Sequence, residues 1–288
     1  MTRRIQPVRG FTLVELVVVI TIAAIVAVFM VFFLGTPVDA YFAQSSRAGL
    51  VDSADRILRS LSADVPMALP NSLRQSGGGG VLALELLATT GVARYYGTGD
   101  KSYLPPAQEA LEELSIGQPD TDFYTLELFG AANGSYLAID NQGLPGAYAF
   151  GGVMTPLPPQ FTIKAVGATV EDHVHFAGAG FNFTNASPTN SVFLVSGPVS
   201  YLCDTNAQTV QRYTGYAVSA AQPATDAQLM AAGATRSLVA QSVAACTVTI
   251  VPAPVSALYG QLAIVEVTLT SNGETLQMFD EIATESVP

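Results

Sequence analysis

The chain has no tryptophan, two cysteines, two histidines and only two lysines, Lys101 and Lys164, among 288 residues. Charged residues make up 12% of the sequence, about half the share in an ordinary domain. Net charge is -11. A surface so poor in lysine and so acidic forms no basic groove; it repels nucleic acid and anionic headgroups, so no nucleic-acid partner is expected. The scarcity of histidine narrows metal chemistry to one place, Glu171-Asp172-His173-Val174-His175. On a strand, residues i and i+2 share a face, so His173 and His175 form a geometrically possible metal pair. No third ligand stands out in the sequence, and both are expected to be structural or surface residues, with no metal and no cofactor. Asp120 and Asp122 have the oxygen chemistry for calcium, but the simpler expectation is a solvated loop leading into a strand at Phe123. No Gly-x-Ser-x-Gly string occurs, and Glu112-Glu113 reads as the outer face of a helix. No catalytic residue is expected and the chain is not read as an enzyme. Gly77-Gly78-Gly79-Gly80 is not followed by Gly-Lys-Ser/Thr, so residues 71–80 are expected to be a flexible loop, not a phosphate cradle. The glycosylation-like triplets at Asn133, Asn182 and Asn185 are read as turns.

What is present in abundance is apolar sequence: 49% of residues are hydrophobic and mean hydropathy is +0.37. From Leu16 to Leu34 the only polar residue is Thr21, and about 20 apolar residues span a bilayer as a helix. Arg3, Arg4 and Arg9 precede the run, and no basic residue follows until Arg47. That asymmetry keeps the N-terminus cytoplasmic. The run leads into Gly35-Thr36-Pro37-Val38-Asp39 without an Ala-x-Ala site, unlike a cleaved secretory signal. One carboxylate, Glu15, stands at the head of the run. An ionisable group at the edge of a membrane-length segment is expensive and marks a functional position with a partner.

Arg9-Gly10-Phe11-Thr12-Leu13-Val14-Glu15-Leu16 resembles the processing and assembly motif of type IV pilins and type II secretion pseudopilins. The resemblance implies that residues 1–10 are a leader removed by a prepilin peptidase between Gly10 and Phe11, and that the new amine of Phe11 is methylated. It also implies that Glu15, fifth in the mature chain, is the assembly glutamate. Physical chemistry fits that role. Cleavage creates a charged amine at the membrane edge, and a carboxylate in low dielectric needs such a cation. Glu15 lies one turn from Phe11 in its own helix, and between staggered subunits it can meet the amine of a neighbour. The alternative for Glu15 is a carboxylate that merely snorkels to the cytoplasmic headgroups.

Beyond the membrane segment (11–34) the helix is expected to continue to residue 66. Val51, Ala54, Leu58, Leu61 and Val65 form one apolar stripe, Asp52/Arg56 and Asp55/Arg59 are i,i+4 pairs, and Pro66 and Pro70 end the helix. Gly35 and Pro37 are expected to bend or locally unwind it. Residues 67–288 read as a β-rich globular domain. Strands are expected at Val81–Leu87, Phe123–Phe129, Phe161–Val166, Val192–Leu202, Arg212–Val218 and Cys246–Val251. A hairpin joins Leu262–Leu269 to Thr275–Ile282 through Ser271-Asn272-Gly273-Glu274. Short helices are expected at Pro105–Leu114 and Gln222–Ala232. The fold class is α+β: a long N-terminal helix packed on a mostly antiparallel sheet. In an exported protein the even pair Cys203 and Cys246 reads as a disulfide, worth roughly 4 kcal/mol for a loop of this length.

A narrower resemblance lies in the body. Leu194-Val195-Ser196-Gly197-Pro198-Val199-Ser200-Tyr201-Leu202-Cys203-Asp204, Arg212-Tyr213-Thr214-Gly215-Tyr216, Val51-Asp52-Ser53-Ala54-Asp55 and Ala68-Leu69-Pro70-Asn71-Ser72 are similar to minor pilins of the mannose-sensitive haemagglutinin (MSHA) pilus, the MshO-like branch. That likeness implies a structural protein, inserted in the inner membrane and then built into an extracellular pilus at or near its tip, with other minor pilins and the major pilin as partners and a possible part in surface adhesion. Residues 97–160 carry no such likeness. A type II secretion pseudopilin is the first alternative, and a membrane-anchored periplasmic lectin or enzyme that never polymerises is the second.

Overall fold

The computed structural model describes residues 10–98, 112–129, 136–156, 161–165, 172–252 and 260–284, with only the backbone described at 32, 34–39 and 165. Helix α1 runs from Leu13 to Asp64, about 78 Å at 1.5 Å per residue. Thr12, in extended conformation, caps its start by accepting a hydrogen bond from the Glu15 N–H at 3.3 Å. Val65, still in helical conformation and donating to the Leu61 carbonyl, closes the helix one residue before Pro66, which has no N–H to continue the helical ladder. Contrary to local unwinding, α1 is continuous through Gly35 and Pro37. A proline removes one helical hydrogen bond and crowds one carbonyl; the turns on either side hold the helical path.

The buried stripe on α1 is Leu50, Ala54, Ile57, Leu61 and Val65, with Leu58 at its edge. Val51, expected inside, is 46% exposed. Adjacent helical positions lie about 100° apart, and the wider side chains of Leu50 and Ile57 fill the space against the body. The i,i+4 pairs form outside this face, Arg56–Asp52 at 3.0 Å and Arg59–Asp55 at 2.6 Å.

The described body contains strands β1 (Arg74–Gly78), β2 (Val81–Arg94), β3 (Asp122–Tyr124), β4 (Tyr136–Ile139), β5 (Phe161–Ala165), β6 (Asp172–Phe176), β7 (Ser191–Asp204), β8 (Thr209–Thr214), β9 (Thr235–Gln241), β10 (Val243–Val251), β11 (Leu262–Ser271) and β12 (Glu274–Ala283), with α2 (Asp226–Ala231) between β8 and β9. They form three antiparallel sheets where one was expected: β1-β2-β7-β8-β9 with β4 also on β7, then β10-β11-β12, then β3-β6-β5. The loop expected at 71–80 is β1 and its turn: Gly78 pairs with Val81, and Gly79 and Gly80 take φ of 64° and 87°, which a two-residue turn of this hand requires. The strand expected at Phe123–Phe129 shortens to β3. Most of the helix expected at Pro105–Leu114 lies outside the described residues; Glu112–Leu114 are non-helical, with Leu114 buried. The helix expected at Gln222–Ala232 begins only at Asp226, capped by Thr225. Residues 272–273 turn the β11–β12 hairpin with φ of 51° and 80°.

β2 and β7, fourteen residues each, are the spine. A bulge where Ala88–Gly91 meets Val195–Gly197 divides them. Pro198 sits beside this irregularity, opposite Leu87, where a missing N–H is tolerated. On one side, α1 packs into a core with Leu84, Leu86, Val199, Tyr201, Val265 and Val267. On the other, Phe123, Phe129, Leu137, Val174, Phe176, Phe183 and Val192 form a second core beneath the β3-β6-β5 sheet. Gly91 is required at the crossing, since a Cβ there would lie 2.2 Å from the Phe129 carbonyl oxygen. Ser242, with φ 65°, redirects the chain from β9 in one sheet to β10 in another. The Cys203–Cys246 disulfide then ties β7 to β10, Cα to Cα 6.5 Å.

Candidate functional site

Two places qualify by chemistry, and the first is the head of α1. Gly10 is exposed, and among the described residues a Cβ built there meets nothing within 4 Å. Phe11 is 78% exposed and lies just ahead of the first helical turn. Glu15 follows in that turn. Thr12-Leu13-Val14-Glu15 has the spacing of a capping box, and a carboxylate there also favours the positive end of the helix dipole. Among the described residues no ion pair involves Glu15. The apolar segment that contains it, Leu13–Val31, has a mean hydropathy of 2.9, and none of its residues is buried among the described residues. Thr21 turns its hydroxyl inward, donating to the Val17 and Val18 carbonyls at 3.0 and 2.9 Å. The helix thus presents an apolar face all round, suited to lipid or to other helices.

The second place is the outer face of the β3-β6-β5 sheet. Asp122 on β3 stands opposite His175 on β6, and Tyr124 opposite His173. His173 Nε2 and His175 Nδ1 both approach Asp122 Oδ1, at 2.9 and 2.7 Å. Burial works to raise the Asp122 pKa; hydrogen bonds from His175, Thr121 and His173 and the charge of His175 outweigh it and hold the carboxyl below the usual carboxylate range. The structure therefore joins two features that the sequence showed apart. It does not bring Asp120 into the same cluster: its carboxylate accepts from the Ser115 and Asp122 N–H groups at 2.6 and 3.3 Å. Asn182 and Asn185 lie exposed in a loop, and Asn133 lies outside the described residues.

Sequence reasoning did not find the buried ionic network. Arg74 and Glu85 face each other across β1–β2 at 2.8 Å with side chains 7% and 0% exposed. Arg74 also donates to the Ser219 and Ala220 carbonyls, both at 2.8 Å, and lies 3.5 Å over the Tyr148 ring. Tyr216 donates to Glu85 at 3.0 Å. Burial pushes the Glu85 carboxyl up despite Arg74, and burial and the charge of Glu85 push the Tyr216 phenol up. A second network clamps the end of α1: Arg212 holds Asp64 through two bonds of 2.6 and 3.0 Å, and Tyr201 donates to Asp64 and Ser60. Both networks are anchors. Each described arginine is ion-paired with a carboxylate, so the described surface has no free cluster of guanidinium groups.

Residues 6–31 match the family model described as the prokaryotic N-terminal methylation motif. The match supports the pilin and pseudopilin superfamily and indicates a type IV pilin-like, prepilin-processed protein. No curated protein and no solved structure matches the chain.

Proposed function

We propose that the chain is a minor pilin of an MSHA-like type IV pilus. It is cut between Gly10 and Phe11 by a prepilin peptidase, methylated on the Phe11 amine, and held in the inner membrane by residues 11–34 with its N-terminus cytoplasmic. It is then drawn into the filament at or near the tip, where it initiates assembly with other minor pilins and the major pilin, and its β-rich body contacts surfaces. The observation that carries this reading is the methylation motif at the head of an apolar helix that has one carboxylate, Glu15, along Leu13–Val31 and no residue buried there among the described residues.

The assembly step follows from electrostatics. Processing leaves a cation at Phe11 and an anion at Glu15. In low dielectric each is costly alone, and pairing between neighbouring subunits relieves both while setting the axial register. The role is structural, with no catalytic residue. The same motif supports a type II secretion pseudopilin, which the filament containing the chain distinguishes. A membrane-anchored lectin or enzyme that does not polymerise predicts a retained leader and tolerance of Glu15→Ala.

Mass spectrometry of the protein from native membranes is expected to find methylated Phe11 as the first residue; a chain beginning at Met1 or Thr2 overturns the proposal. Glu15→Ala is expected to leave membrane insertion intact and to reduce recovery in sheared pili, with normal recovery counting against the pairing. Glu15→Gln separates the two roles of this side chain. It keeps a residue able to complete the capping box and removes the charge, so incorporation should fall as far as in Glu15→Ala.

A further inference from the structure

The stripe on α1 outruns the sheet that it covers. Toward the C-terminal end of α1, Tyr201 of β7 bonds Ser60 and Asp64. Closer to the apolar segment, Gly49, Leu50 and Ser53 share a groove with residues 238–242 of β9 and the turn after it. The helix therefore crosses the strands from β7 to β9, the last strand of its sheet, and the stripe runs on past that edge as half-buried Ser46 and Ala43. Strands lie about 4.8 Å apart, which is about three residues of helix rise. The steps Leu50, Ser46, Ala43 thus leave room for one more strand beneath α1. The groove there, about 490 Å³, is rimmed by Phe42 and Leu238, 63% and 56% exposed. Among the described residues no strand pairs with the outer edge of β9. We propose that an extended segment of the next pilin-like subunit toward the membrane adds a strand to β9 under Phe42–Gly49.

The edge and its direction select the occupant. A row of backbone N–H and C=O groups is matched along its length by another extended backbone. Since α1 leads from the body to Leu13–Val31, β9 is the membrane-facing edge of its sheet. In the filament reading, on which this inference rests, that edge faces the far end of the body of the subunit that follows. A twofold-related second copy does not fit. Because α1 crosses β9, a copy paired to this edge by a twofold axis would point its own α1 the opposite way, which one shared membrane does not allow. Charge permits the approach. The chain carries a net charge of -11, yet Arg56 in the groove pairs with Asp52 and Arg236 on β9 pairs with Asp226, both at 3.0 Å. The locally neutral groove does not repel an acidic neighbour. Two features shorten the free edge. The ladder to β8 shifts at Val239, and the Thr270 N–H donates to the Ser242 carbonyl at 2.8 Å, closing one end. Thr235–Leu238 stays in regular register and offers the pairing edge.

The test places a benzophenone amino acid at position 237 of the full-length chain, irradiates sheared filaments from the producing bacterium and sequences the crosslinked peptide. The expected adduct joins β9 to the body of a different chain that carries the same N-terminal motif. Gly49→Leu and Leu238→Asp probe the groove. A Cβ at Gly49 meets no described atom within 4 Å, and Leu238 is exposed, so both variants should keep the parent's melting temperature and its cleavage after Gly10. Their recovery in filaments should fall about tenfold, because a filled groove or a buried unpaired charge opposes docking. Absence of the parent chain from filaments overturns both this inference and the reading on which it rests. A parent present in filaments with no adduct, with an adduct only to a second copy of itself, or with both variants recovered at the parent's level overturns this inference alone.

Discussion

Along α1, no residue of Leu13–Val31 is buried among the described residues, whereas Leu50, Ala54, Ile57, Leu61 and Val65 are almost wholly covered. The two segments are one unbroken helix. Their difference lies in patterning. The first is apolar on every side and can be satisfied only by lipid or by other helices. The second gathers Leu50, Ala54, Ile57, Leu61 and Val65 on one stripe, leaves Val51 outside it, and turns Asp52, Asp55, Arg56 and Arg59 away. A continuous helix thus joins a segment that the described body leaves uncovered to one whose partners are the body.

The comparison can be broken hardest from the body side. Replacing both cysteines with serine frees β10 from β7 behind the buried stripe and is expected to lower unfolding stability by about 4 kcal/mol, read by denaturant titration of the solubilised chain. Next, Leu61→Ala opens a cavity between α1 and both sheets and should cost about 3 kcal/mol. The matching truncation in the other half, Ile22→Ala, should leave unfolding of the body within about 0.5 kcal/mol of the parent; a loss comparable to that of Leu61→Ala would mean that the two halves are not independent. Smallest is Asp55→Asn, which removes an exposed i,i+4 pair and should cost no more than about 0.5 kcal/mol.

Much of this contrast was legible before any coordinates. The apolar run, the flanking arginines and Glu15 are local features, and so are the Asn272-Gly273 turn and the Asp–Arg pairs one helical turn apart. The Cys203–Cys246 bridge could be named because two cysteines leave one pairing. Other elements were hidden for identifiable reasons. β1 is Arg-Gln-Ser-Gly-Gly, with no strand-forming side chain; it is a strand because β2 offers a partner through a two-glycine turn. β9 is largely exposed and so lacks an alternating pattern. The stripe on α1 slipped by one position at Val51 because neighbouring apolar residues made two faces nearly equivalent, and the sheets chose between them. The His-x-His string was visible without its carboxylate, and Asp122 without its histidines.

By itself the sequence determined a membrane-length helix with one acid at its head, a processing motif, a β-rich body and one disulfide, because each follows from composition, periodicity or short-range spacing. Only the tertiary structure decided that Asp122 meets histidines more than fifty positions away, that Arg74 is buried against Glu85, and that three sheets share the work of one. Those outcomes depend on strand register and on which faces are left to be covered, quantities that no local stretch of chain contains.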